Sequence, residues 1–434
     1  MGRLLAIATA FLTLGAGTAQ AATYYVSASG SDANAGRTMG AAWRTVGRVN
    51  AAALKPGDHV LFEAHRTFSD TTLMPSRSGT AARRISFGSY GPGRATIANP
   101  AGAVWIPDGR SYLTFENLEL STGRSAVSIF AGAATGTGNK AITLRHSVLT
   151  KTGGSAIVSK QRSDTGWRIL GNTIAQTGDS AMILLGAGAL VAQNTIAGVG
   201  WNSSIPWGKH GIYAKGPRIT IDRNDISGVP HGQAVSLRFH GARVFGNTIH
   251  DTPFAIAFFD YDTAAAPQGT GYIYNNRLWN ISGWGFYYDG QLDPNGHAPS
   301  VDFVLASNTF SFSGASEAVN VSPSGSARVT LANNVFMGSY TSALRAARTT
   351  REYHNGWAGG RFNLPRGAGD IYSVGGISSA PMLAPQQSSA LVDGGSRRVS
   401  GIRYRHACDG RLLHYCGSAP DIGAGEFTFG SLRR

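Results

Sequence analysis

Four side chains able to move protons or hold negative charge fall together between positions 210 and 238: His210, Tyr213, Lys215 and Arg238. Tyr213 and Lys215 are two residues apart, so on an extended strand they share one face. Arg238 ends a segment, Gln233-Ala234-Val235-Ser236-Leu237-Arg238, that aligns without gaps on His210-Gly211-Ile212-Tyr213-Ala214-Lys215. Stacked as neighbours, the two segments bring Arg238 about 4.8 Å from Lys215, one strand spacing away. Such a group suits β-elimination from a uronic acid polymer. That reaction needs a cation beside the carboxylate, a base for the C5 proton and an acid for the leaving oxygen. Arg238 is expected to neutralise the carboxylate, Lys215 or His210 to act as base, and Tyr213 to act as base or acid. No cofactor and no metal are needed for this chemistry. Lys160, Gln233, His240, Trp284, Tyr287, Asp289 and Asp260 are expected to line the substrate, with Trp201, Trp207 and Phe259 as further flat surfaces for sugar rings. A competing site is the carboxylate set Asp260, Asp262 and Asp289, which would serve a glycoside hydrolase. A third reading is a non-catalytic, glycan-binding surface solenoid.

These residues depend on a repeat for their placement. An Asn followed by a short strand recurs at 117, 172, 194, 224, 247, 276, 308 and 334, with His146 in its place once, at steps from 22 residues (Asn172 to Asn194) to 32 (Asn276 to Asn308). Variable spacing under a constant strand pattern means coils of fixed cross-section joined by loops of different length. Fifty-eight glycines and few charges fit a stack in which no unit buries its apolar face alone. The expectation is all-β: one parallel β-helix of nine to eleven coils with the Asn residues forming an internal ladder at one bend. Period-two alternation then assigns Ile157/Ser159, Met182/Leu184, Ile212/Ala214, Val235/Leu237, Ile256/Phe258, Phe286/Tyr288 and Val319/Val321 inward, and Tyr213/Lys215, Ser236/Arg238, Ala257/Phe259, Tyr287/Asp289 and Asn320/Ser322 outward.

The chain opens with a basic start, an apolar run and Ala19-Gln20-Ala21, the pattern of a secretory signal over 1–21. The expected location is secreted or periplasmic. No later apolar run is long enough to cross a bilayer. The net charge of +14 favours a polyanionic partner; the basic residues are scattered rather than clustered, which points away from nucleic acid and, with export, towards an acidic polysaccharide. A monomer is expected. Cys408 and Cys416, the two cysteines of the chain, are expected to close a short disulfide loop. Trp43, Val46, Val49 and Ala53 fall at helical spacing before Lys55-Pro56-Gly57, giving a short helix to cap the open apolar end of the first coil. The solenoid is expected over 22–349 and a loop-rich tail over 350–434.

The segments YYVSASGSDANAG (24–36), LKPGDHVLFEAHRTF (54–68) and ISFGSYGPGRATI (85–97), with APDIGAGEF (419–427) near the end, resemble the secreted right-handed parallel β-helix proteins of the pectin-lyase-like superfamily. The resemblance spans nearly the whole chain after the signal and implies a right-handed solenoid. It also implies activity on polysaccharides, as a lyase, hydrolase or epimerase, with lyases of this kind drawing on Lys, Arg, Tyr and His from one sheet. The Asp-Pro-His signature of mannuronan epimerases is missing, because Asp293-Pro294 is followed by Asn295.

Overall fold

The computed structural model describes residues 20–132, 136–202, 208–238, 240–259, 268–290, 300–321, 327–345, 349–360, 366–407, 411 and 413–424. Nearly all regular structure is strand, and every pairing in the solenoid is parallel between one coil and the next, giving about ten turns. A 13-stranded sheet forms the first face and a 19-stranded sheet the other two. In the earlier coils the second and third faces have separate short strands, such as Thr195–Val199 and Ile212–Ala214. From Thr248–Phe259 onward a single strand of 11 to 13 residues runs through both. The resulting core is continuous and apolar, and the inward positions stack in one column: Ile157, Met182, Ile212, Val235, Ile256, Phe286 and Val319.

The Asn ladder exists, and it carries the register of the whole stack. Between the first and second faces Asn172, Asn194, Asn224, Asn247, Asn276, Asn308, Asn334 and Asn355 lie one above another. Each side-chain amide donates to the next residue's Oδ1 at 2.9–3.1 Å, and each backbone N–H donates to the same oxygen. The second amide proton goes to a carbonyl of the preceding coil, as from Asn224 to Val191 O at 3.0 Å. Two of the expected members are displaced by one residue. Asn117 and His146 occupy the position before the ladder, with φ of 52° and 51°, matching Gly171, Gln193, Arg223 and Gly246 in later coils; Leu118 and Ser147 hold the ladder position itself. The left-handed residue and the Asn are adjacent, and Asn is favoured at both, so the sequence pattern alone confuses them.

The cap helix is shorter than its spacing suggested, covering Val46–Asn50 with Thr45 as N-cap; Val46, Val49 and the preceding Trp43 are buried, whereas Ala53 is exposed. At the other end the stack runs past residue 349. Thr349–Tyr353 pairs with Arg328–Ala332, Gly356–Trp357 pairs with Val335–Phe336, and Asn355 donates to Asp370 Oδ1. Beyond these strands the tail lays Val399 and Ile402 on Tyr274, Val304 and Ala332 outside the first sheet. Cys408 lies outside the described residues, and no cysteine among the described ones is free; the pairing of Cys408 with Cys416 remains a proposal.

The ladder predicts its own sensitivity. Asn247→Leu removes the acceptor of the Asn224 backbone N–H and amide and one of the two donors to Asn276 Oδ1, leaving the buried Asn224 N–H without its partner. The expected loss is about 2–4 kcal/mol in urea unfolding. Asn117→Gly, at a left-handed position outside the ladder, is expected to change stability by less than about 1 kcal/mol. Equal losses in both variants would refute the ladder's role.

Candidate active site

The strands Ile212–Ala214 and Gln233–Leu237 pair in the register the alternation requires, with Tyr213 opposite Ser236. Lys215 and Arg238 extend the ladder by one residue each, Lys215 N donating to Leu184 O and Arg238 N to Ala214 O. Ile212, Ala214, Val235 and Leu237 point into the core, so the alternating side chains emerge on the outer side of the third face.

Emergence does not mean exposure. Arg238 is only 4 % exposed. Its guanidinium lies 4.7 Å from the Tyr213 ring centroid and 4.5 Å from that of Phe259, one coil to each side. Nη1 donates to Ser236 Oγ at 2.9 Å and to Leu237 O at 3.1 Å. Room for this arrangement comes from the column Tyr213, Ser236, Ala257, Tyr287, in which two small residues separate two tyrosines. Lys215 approaches the same Tyr213 ring, its Nζ 5.0 Å from the centroid. Two cations from adjacent coils thus bracket one phenol, a low-dielectric setting in which their fields are stronger than in water.

His210 is also buried, at 4 % exposure, with its ring 4.7 Å from that of Tyr213. The Gln233 N–H donates to His210 Nδ1 at 3.2 Å, so the neutral ring carries its proton on Nε2. Burial, and after it the charges of Arg238, Lys209 and Lys215, push its pKa down to about 3. A neutral imidazole with Nδ1 occupied is a fixed hydrogen-bond donor. In this geometry the nitrogen of His210 that could accept a proton already accepts from the backbone.

Gln233 is buried with no hydrogen-bond partner for Oε1 among the described residues. Beside it, the column Gln233, Phe254, Trp284, Glu317 runs along the same face. Phe254 stacks on Trp284 at 4.2 Å and Trp284 on Tyr287 at 4.4 Å, making an aromatic wall towards the C-terminal coils. Asp289 is opposite Phe259 and half-buried. Glu317, absent from the sequence expectations, accepts from Asn320 Nδ2 at 3.3 Å. Lys160 stands two coils from Lys215 and is exposed, 5.7 Å from the Phe130 ring. His240 lies apart, past the end of the strand in the turn to the first sheet, where its carbonyl accepts from Arg218 N. Asp260, Asp262 and Trp207 lie outside the described residues. Among the described residues no three His, Cys, Asp or Glu side chains gather to hold a metal. One feature was not legible: the column of Tyr213 continues back through Ile183, Val158 and Phe130 to Trp105, which is 46 % exposed. Trp105 belongs to a coil before the recognisable Asn repeats, so no alignment reached it.

Comparison with known proteins agrees with this geometry at the level of the fold. Residues 155–355, a little under half of the chain, match the family described as "Right handed beta helix region", in keeping with the parallel β-helix described above. A lacto-N-biosidase of Bifidobacterium longum subsp. longum is 34% identical over 24% of this chain, a match that spans 8% of that enzyme's length. Among solved structures, XylC in complex with xylose is similar with a TM-score of 0.57 at 10% identity, covering 83% of this chain and 88% of XylC. Pectate lyase Pel9A is similar with a TM-score of 0.44 at 14% identity, covering 94% and 97%.

The state of His210 predicts a pH dependence. Its folded pKa lies below the unfolded value of 6.5, so below pH 6.5 the unfolded chain binds a proton that the folded chain refuses. Stability should therefore be full above pH 6.5 and fall by up to about 1.4 kcal/mol per pH unit as the pH drops towards 3. His210→Asn keeps an acceptor for Gln233 N but cannot titrate. The difference in unfolding free energy between wild type and this variant should change over that window and be flat above it.

Proposed function

We propose that this chain is an exported enzyme that cleaves an acidic, uronate-containing polysaccharide by β-elimination without a metal. The observation that carries the reading is the convergence of Lys215 and Arg238 on the Tyr213 ring, at 5.0 and 4.7 Å, from two adjacent coils. The basic charge of the chain supports an anionic substrate. In the reaction the base removes the C5 proton, its electron pair forms the C4–C5 double bond, the C4–O bond breaks, and the leaving oxygen takes a proton. Arg238, always protonated, supplies positive charge for the carboxylate as it becomes an enolate. Lys215 and Tyr213 are the pair that exchanges the two protons, and His210 Nε2–H holds a substrate oxygen beside them. The chain of the polymer runs along the outer column, with Trp105, Phe130 and Ile183 towards one end and Trp284 with Tyr287 at the other.

A hydrolase is the second reading, favoured by the partial likeness to the lacto-N-biosidase; Asp289 would be one of its carboxylates. Assays over a panel of uronate polymers separate the two. Products absorbing in the ultraviolet mark elimination, whereas new reducing ends without absorbance mark hydrolysis and refute the lyase reading; a glycan-binding solenoid would yield neither.

Lys215→Ala and Tyr213→Phe should each lower kcat by about 10²-fold or more with the unfolding midpoint nearly unchanged. Arg238 behaves differently, because it is packed between two rings. Arg238→Ala is expected to cost about 1–3 kcal/mol as well as activity, whereas Arg238→Met should lose activity with a smaller loss of stability. Trp105→Ala should raise KM for long chains while leaving kcat and the KM of short oligomers unchanged. Retention of full activity by the Lys215, Tyr213 and Arg238 variants, with loss in Asp289→Asn, would transfer the assignment to hydrolysis.

A further inference from the structure

At the bend between the second and third faces, six successive coils place one left-handed residue in register: Lys151, Gln176, Gly198, Gly228, Asp251 and Asn280, with φ between 50° and 63°. Four of the six carry side chains. Glycine at the middle two is therefore not forced by the backbone. A Cβ on Gly198 would meet nothing closer than Gln176 N at 3.6 Å, an ordinary contact. What the two glycines do is leave a two-coil gap in an otherwise filled column, bounded by Gln176 on one side and Asp251 on the other. The gap is the floor of a cavity of about 420 Å³.

Trp201 walls this cavity, and it is 42 % exposed. Its indole is held in place: Nε1 donates to Thr152 O at 3.1 Å and Gln176 O at 3.0 Å, and the Arg124 guanidinium lies 4.6 Å from the ring. Pro230 and Pro253, both rigid, line the cavity with it. An exposed tryptophan immobilised by two backbone carbonyls is a preformed surface, so a ligand that stacks on it costs little ordering entropy. Asp251 is likewise oriented, accepting from His250 Nδ1 and from Asn280 Nδ2, each at 2.6 Å. These bonds, with Asn280 the larger influence, keep its carboxyl below the usual carboxylate range. Two such bonds leave further lone pairs for hydroxyl groups.

We propose that this recess is a second glycan site, separate from the catalytic face, that takes one neutral pyranose ring against Trp201 with its hydroxyls on Asp251 and Gln176. A flat apolar wall with polar acceptors at its edges matches a ring whose faces are C–H and whose rim is hydroxyl. The Asp251 carboxylate disfavours a uronate at its edge of the recess, while the Arg124 guanidinium is engaged on the face of the Trp201 ring. None of its residues takes part in the proton transfers of the lyase reading, and Trp201, expected beside the substrate of that reading, lies instead in this recess at the bend.

Isothermal titration of the full chain with cellotetraose and with tetragalacturonate tests this. Cellotetraose should bind, and bind at least tenfold more weakly to Gly198→Gln, which fills the recess with the side chain that Gln176 carries one coil earlier, and to Trp201→Ala. Lys215→Ala should bind cellotetraose as wild type does, and Gly198→Gln should keep wild-type cleavage of uronate polymers. Thermal unfolding confirms that Gly198→Gln is folded; if it is not, Trp201→Ala decides. No cellotetraose binding, equal binding by the recess variants, or loss in Lys215→Ala instead would each overturn the proposal, as would binding of tetragalacturonate alone.

Discussion

The bidentate amide contact between successive asparagines is the constraint on which the rest of this structure depends. A buried amide without partners costs about 1–3 kcal/mol, and each Asn between the two ends of the ladder is satisfied by an Asn at the same height in the coils above and below. The distance along the chain from one rung to the next is free to vary, from Asn194 to Asn224 or from Asn224 to Asn247, because the loops absorb the difference. Tyr213 therefore meets Ser236 across two coils of unequal length. The face that carries Tyr213, Lys215 and Arg238 inherits its register from the bend that holds the Asn ladder.

Once the register is set, composition at single positions decides the electrostatics. Ser236 and Ala257 are small enough for a guanidinium to lie between Tyr213 and Phe259. With larger residues there, Arg238 would be pushed outward into water and its charge screened. Burial of that cation in turn helps hold His210 neutral, after desolvation of the ring itself. The site is a sequence of dependences: small side chains admit a cation, and the cation adds to the desolvation that keeps its neighbour neutral.

The architecture was legible because alternation and the Asn repeat are local and periodic. Inward residues from Ile157 to Val319 were identifiable without coordinates, and so was the alignment of Tyr213 and Lys215 with Arg238. Burial of the outward residues was not, since it depends on what adjacent coils place beside them: Arg238 read as solvent-facing, yet it is sealed by Tyr213 and Phe259, each more than 20 positions away. Asn117 and His146 were assigned one residue out of step because two adjacent positions favour the same residue type. Trp105 and the paired glycines at 198 and 228 carry no signal until the coils are stacked. Asp260 and Asp262 lie outside the described residues, so the carboxylate alternative rests here on Asp289.

The ladder also has a direction. Each rung hands its protons to the next oxygen towards the C-terminus, and an Asn can always be followed by another Asn, so a coil can be duplicated within the column without altering any existing junction. Asp370 ends that possibility: its Oδ1 accepts from Asn355, and Oδ2 accepts from Trp357 Nε1 at 3.1 Å, but its side chain lacks the amide N–H that an Asn would pass on. It acts as a chain terminator in a polymer of hydrogen bonds. The length of the ladder, and with it of the outer face that the coils build, is limited by the exchange of one amide for one acid.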